Sequence, residues 1–171
     1  MADTNATIDA WQRAGEAGDA AAAVACMAPD IVMISPLTEQ FRFQGRAQVG
    51  DVMAAAFETI HGIRYHTVVG EGDTWAVFFH ARAGREPVEE AELIRLDADG
   101  LIRELTFFGR PLPALTAVMA GIGPRLMRRQ GSPRLGRFVG LAVRPLAAMT
   151  RFGDRRIVPA GDPNRRRRSP N

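Results

Sequence analysis

The chain has 171 residues, 46% of them hydrophobic, and a net charge of +3, which fits one folded domain with a short addition and excludes a chain disordered throughout. A single cysteine, Cys26, excludes an internal disulfide and a cysteine-based zinc cluster. The charge is unevenly placed: residues 1–124 carry nine arginines against seventeen acidic residues, residues 125–171 thirteen against two, and lysine is absent. That division marks a folded part followed by a basic arm.

In chain order, Ile8, Trp11 and Ala14/Gly15 recur at helical spacing and predict a helix over Thr7–Ala17, stopped by Gly18. Asp19 is a natural N-cap for a short second helix through the alanines to Met27. The stretch APDIVMISP reads as a turn, a β-branched strand from Ile31, and a stop at Ser35-Pro36. Phe41–Phe43 predicts a short second strand, and Val49, Val52/Met53, Ala56/Phe57 and Ile60 form one face of a third helix.

After His61-Gly62 the period changes to two. Four strands are predicted at Arg64–Gly70, Thr74–Arg82, Val88–Asp97 and Leu101–Phe108, with turns at Glu71-Gly72-Asp73, Gly84–Pro87 and Asp97–Gly100. Helices followed by consecutive antiparallel strands indicate an α+β fold, with helices packed on one face of a sheet. No glycine-rich phosphate loop joins a strand to a helix, which argues against a dinucleotide-binding fold. Ala114–Ile122 reads as a short helix. Beyond Gly123-Pro124, Leu135, Phe138/Val139, Ala142 and Leu146 recur at helical spacing over residues 125–152, with Arg137, Arg144 and Arg151 on another face. Residues 153–171, which include the run Arg165–Arg168, have the composition of a disordered tail.

The phrases WQRAGEAGD, APDIVMISP, FQGRAQV and ELIRLDADGLIRELTFF, in that order, resemble the nuclear transport factor two-like superfamily, in its SnoaL-like and ketosteroid isomerase-like branch. The resemblance covers about residues 5–112. It implies a cone-shaped domain over residues 1–124, in which a curved antiparallel sheet and the N-terminal helices enclose a largely apolar small-molecule pocket. It also implies a homodimer. The fold carries isomerases, dehydratases, cyclases and binding modules, so it does not select a function.

Ketosteroid isomerases place a tyrosine in the first helix, a proton-moving aspartate before the first strand's proline, and a protonated carboxyl on a late strand. By the resemblance, those positions hold Trp11, Ser35 and Glu92. Trp11 can donate but cannot carry a proton, and Ser35 lacks basicity, so the isomerase chemistry as such is not expected. Strand alternation puts Val88, Glu90, Glu92, Ile94 and Leu96 on one face. A carboxyl among such neighbours has a raised pKa and can act as a general acid or base.

The expected catalytic candidates are therefore Glu92, His66 and His80, the histidines as partners in a relay across strands. The expected pocket comprises Trp11, Ser35, Phe57, Trp75, Phe79, Glu90, Ile94 and Phe107. No cofactor is expected, and the histidines show no metal-ligand spacing. Three functions remain open: binding of a hydrophobic polyketide, steroid-like or lipid-derived molecule; an enzyme of the cyclase, isomerase or dehydratase type using Glu92; and a dimeric interaction module acting through its basic arm. Residues 125–168 could meet an anionic membrane surface, whereas the tail lacks the interleaved aromatics of sequence-specific nucleic-acid binding. With neither a secretory signal nor a membrane span in the sequence, a cytoplasmic protein, peripheral to a membrane if the arm lies on one, is expected.

Overall fold

The computed structural model describes residues 4–163. Helix α1 (Thr4–Ala17) buries Ile8, Trp11, Ala14 and Gly15, the stripe its apolar spacing dictates. Asp19 caps α2 (Ala20–Ala25) by accepting from the Ala21 and Ala22 N–H groups, each at 3.0 Å. Strand β1 (Met27–Ile34) and the two-residue β2 (Phe43–Gln44) lead into α3 (Gly45–Phe57), which buries Val49, Val52, Met53 and Ala55. The meander follows as β3 (Ile60–Glu71), β4 (Thr74–Ala83), β5 (Glu86–Leu96) and β6 (Ile102–Arg110).

The sheet is six-stranded, ordered β2-β1-β6-β5-β4-β3, curved and unclosed, with β1 parallel to β6 and every other pair antiparallel. The α+β expectation holds. The β4–β5 turn is tighter than expected: Ala83 pairs with Glu86, so only Gly84 and Arg85 lie between them, and Gly84 takes the positive φ of +61° that such a turn requires. Strand β5 alternates strictly, with Glu86, Val88, Glu90, Glu92, Ile94 and Leu96 buried on its inner face. One core cluster gathers Ile8, Trp11, Met27, Ile31, Ile94 and Leu105 under α1 and α3; a second gathers Ile60, Ile63, Phe79, Val88 and Val118 under α4.

The C-terminal helices differ from expectation. Helix α4 spans Leu112–Arg129 and passes through Gly123-Pro124 without stopping. Proline inside a helix removes one hydrogen bond, but here tertiary packing holds the helix together: Leu126, beyond the proline, is buried in the first core cluster. Helix α5 (Pro133–Phe152) turns back along α4, with Thr116 and Thr150 hydroxyls 2.7 Å apart. Residues Gly153–Ile157 and Val158–Gly161 form two further helical turns rather than the expected disordered segment. The run Arg165–Arg168 lies outside the described residues. No helix among the described residues is long and apolar enough to cross a membrane.

Candidate functional site

Between the inner face of the sheet and helices α3 and α4 lies a cavity of about 210 Å³. That is larger than the ~150 Å³ cavity known to hold a benzene ring, which gives it the capacity for one or two rings. Its walls are mostly apolar, with Met33, Phe57, Ile63, Phe79, Phe107 and Leu126 among them. The acidic side chains in the lining are Glu90 and Glu92. Both point inward because β5 alternates, and about 6.6 Å of strand separates their Cα atoms at ~3.3 Å per residue.

Glu92 is 2% exposed. Its Oε2 accepts a hydrogen bond of 2.6 Å from the Trp11 indole Nε1 on α1. The Tyr65 hydroxyl on β3 lies 3.5 Å from both carboxyl oxygens. Burial pushes the Glu92 carboxyl up to about 8 and outweighs the hydrogen bond from Trp11, with the neighbouring Glu90 charge raising it further. Glu90 is also raised by burial, to about 7. It has no hydrogen-bond partner among the described residues, and its carboxyl borders the cavity. Burial, followed by the nearby Glu92 charge, holds the Tyr65 hydroxyl well above the usual phenol value, so it remains a donor.

A gap in α1 makes this constellation possible. A Cβ at Gly15 would lie 2.7 Å from the Tyr65 hydroxyl oxygen, a distance that real Cβ atoms do not adopt. Glycine in a helix interior costs about 1 kcal/mol relative to alanine. Here it gives the tyrosine the space to approach Glu92. The backbone N–H of Tyr65 donates to Glu16 at 3.1 Å, which ties β3 to the end of the same helix.

The structure brings together Trp11 and Glu92, the pair the sequence places at two of the three family positions. Ser35, Phe57, Phe79, Glu90 and Phe107 are among the residues that line the cavity. Ser35 also accepts the Leu37 N–H at 3.2 Å and so shapes the loop after β1. Trp11 stands behind Glu92 rather than in the wall. Ile94 and Trp75 lie on the expected inner face, yet neither borders the cavity. Ile94 is fully buried in the core cluster it shares with Ile8 and Trp11 of α1. Trp75 sits near the β3–β4 turn, where its indole donates to the Gly72 carbonyl at 3.1 Å. The inner face is longer than the cavity, and core packing occupies its remainder.

His66 and His80 are on the other face. Phe79, not His80, points inward on β4, and Tyr65, not His66, points inward on β3. The histidine rings are exposed and stacked, with centroids 4.3 Å apart. A histidine–glutamate grouping does form, with Glu89 rather than Glu92: His66, His80 and Glu89 offer ligand atoms all within 4.8 Å of one another. The spacing in the sequence concealed this, since the β3–β4–β5 register creates it. Glu89 is already paired with Arg110 at 2.9 Å. Tyr65, the only tyrosine in the chain, was missed; its alternation with Ile63 was the available signal.

Solved structures of several proteins share this architecture. An uncharacterized bacterial protein with a cystatin-like fold from Silicibacter pomeroyi is 26% identical, with a TM-score of 0.69 over 75% of this chain and 92% of that one. A steroid delta-isomerase from Pseudomonas aeruginosa is 25% identical, with a TM-score of 0.65 over 77% of this chain and 94% of that one. An NTF2-like protein of unknown function from Cytophaga hutchinsonii, 15% identical, matches with a TM-score of 0.57 over 67% of this chain and 96% of that one, a likeness in fold alone. No curated protein matches the sequence. The profile of the SnoaL-like domain matches residues 6–105, more than half of the chain, and the chain belongs to the SnoaL-like family.

Proposed function

We propose that the cavity binds a small, largely apolar molecule bearing one carbonyl or hydroxyl oxygen, and that protonated Glu92 donates a hydrogen bond to that oxygen. The observation that carries this reading is the fully enclosed Glu92 carboxyl held by Trp11 at 2.6 Å in an apolar cavity. A carboxyl raised to about 8 keeps its proton at neutral pH and is then a donor. Trp11 engages Oε2 closely, and Oε1, which meets only the Tyr65 hydroxyl at the long distance of 3.5 Å, carries the proton offered to the ligand. The apolar walls bury the remainder of the molecule, the usual division of labour in small-molecule sites.

A second reading, proton-transfer catalysis, is favoured by Glu90. Its carboxyl, raised to about 7 and without a hydrogen-bond partner among the described residues, is poised to exchange a proton near neutrality. Glu90 would take a proton from the carbon beside a carbonyl while Glu92 steadies the developing enol oxygen, and would return it to the same or a conjugated carbon. The likeness to a steroid delta-isomerase supports a carbonyl ligand. Ser35, in place of that mechanism's aspartate, moves the proton-carrying role onto β5.

A two-ring ketone such as 2-tetralone tests both readings. Calorimetry should show saturable binding to the native protein, weakening as pH rises through the Glu92 value. Ala56 lines the cavity, so Ala56→Trp should fill it and reduce affinity by at least about tenfold, the equivalent of 1.4 kcal/mol. Equal affinity of both proteins would place the ligand elsewhere and refute the binding reading. For catalysis, deuterium exchange beside the ketone is followed by NMR. Loss of exchange in Glu90→Gln with binding retained supports proton transfer; exchange at the same rate in both proteins refutes it.

A further inference from the structure

We infer that the outer face of α5 is a docking surface for an anionic lipid bilayer, on which the helix lies without crossing. The reasoning begins with the residues that α5 turns inward. Gly136, Gly140 and Ala147 are buried against α4. A Cβ at Gly136 would lie 2.8 Å from the Pro124 carbonyl oxygen, and one at Gly140 would lie 3.2 Å from the Pro124 ring. The two helices thus meet through small residues, and the large apolar side chains are left on the outside.

Those side chains form one stripe. Phe138, Leu141, Met149 and Phe152 are between 61% and 70% exposed, and Leu135 and Leu146 extend the same face. At ~100° per residue the six fall within an arc of roughly 140°, the width of a complete core-facing stripe. Ile157 and Val158, each 63% exposed, add apolar surface in the helical turns that follow. Single exposed apolar residues are common on proteins, but a continuous stripe of this size marks an interaction surface.

Charge selects the occupant. Arg137, Arg144 and Arg151 follow one border of the stripe at seven-residue intervals, and Arg134 lies at its edge. Arg151 and Arg155 hold Glu86, at 2.5 and 3.2 Å, and anchor the end of the helix to the β4–β5 turn. Arg134, Arg137 and Arg144 have no ion-pair partner among the described residues. A second copy docked on this face would oppose two segments that each carry thirteen arginines and two acids over residues 125–171. A nucleic-acid backbone offers no apolar phase for the phenylalanines and leucines. An anionic bilayer supplies both partners: acyl chains for the stripe and headgroups for guanidinium groups that reach up from its border.

Flotation of the full chain with vesicles tests this. Vesicles of phosphatidylcholine with a minority of phosphatidylglycerol should capture the protein at least about tenfold more strongly than phosphatidylcholine alone, with capture falling as salt rises. The exposed triple variant Phe138→Ser, Leu141→Ser, Met149→Ser should lose at least about tenfold while keeping its circular dichroism and urea midpoint, because these side chains project outward. Arg137→Gln with Arg144→Gln should lose the preference for the anionic lipid. Three results would overturn the inference: no capture of the native protein by anionic vesicles; equal capture of the triple variant, which would assign binding to residues beyond the face; or a native dimer that the triple variant converts to monomer without any vesicle binding, which would assign the face to a second copy.

Discussion

Replacing Glu92 with glutamine should halve the pH dependence of stability between about pH 5.5 and 6.5. In an unfolded chain both β5 carboxyls titrate near 4.5 and are ionised in that window. Burial holds Glu92 to about 8 and Glu90 to about 7, so the native chain keeps two protons that the unfolded chain has released. The unfolded state binds fewer protons, hence stability is full below pH 4.5 and falls as pH rises toward the native values. Each group contributes a slope of about 1.4 kcal/mol per pH unit, so the native protein should lose up to about 2.7 and Glu92→Gln up to about 1.4. The glutamine oxygen still accepts from Trp11, which keeps the packing intact. Glu58 acts in the opposite sense, since the hydrogen bond from Arg129 lowers its pKa; its contribution is present above the unfolded value of 4.5 and is common to both proteins. Urea unfolding followed by tryptophan fluorescence across the window gives both slopes. Equal slopes in the two proteins, or native stability that rises with pH, would refute the assignment of a buried neutral acid.

The remaining predictions probe how the site is held. Gly15→Ala should destabilise the native protein by about 1–2 kcal/mol by driving Tyr65 from Glu92, and should cost less in a Tyr65→Phe background, where the 2.7 Å contact with the hydroxyl is gone and only the ring contacts at 3.1 and 3.3 Å still oppose the helix gain of about 1 kcal/mol; denaturant melts of the four proteins give the cycle. Leu126→Ala should cost about 2–5 kcal/mol and enlarge the cavity, because this residue beyond Pro124 seals its wall; a cost below about 0.5 kcal/mol would remove α4 from the core. Gly136→Val places side-chain atoms against the Pro124 carbonyl and should prise α5 from α4. Faster tryptic cleavage at Arg134 and Arg137 than in the native protein is the expected readout.

Much of this architecture was legible in the residues. The change from helical to alternating period near His61 located the helices and the meander, and Asp19 announced the second helix by its capping chemistry. The strict alternation of β5 put Glu90 and Glu92 on one face, and the position of Trp11 in the first helix paired it with Glu92. His66 and His80 read as site candidates because β3 and β4 carry aromatic or apolar residues on both faces near Phe78 and Phe79, where periodicity loses its sense of direction. Tyr65 went unnoticed for the same reason. Pro124 suggested a helix end because intrinsic propensity forbids it; burial of Leu126 overrides that propensity.

The sequence by itself determined the elements, their order, the family and the inward-facing acids, since these follow from local periodicity and turn chemistry that the chain carries with it. Tertiary structure alone decided which inward residues border empty space and which border core, that Gly15 yields its side-chain volume to Tyr65, and that α5 turns its glycines in and its phenylalanines out. Each of these depends on a distance between segments far apart in the chain, and a linear pattern of residues contains no such distance.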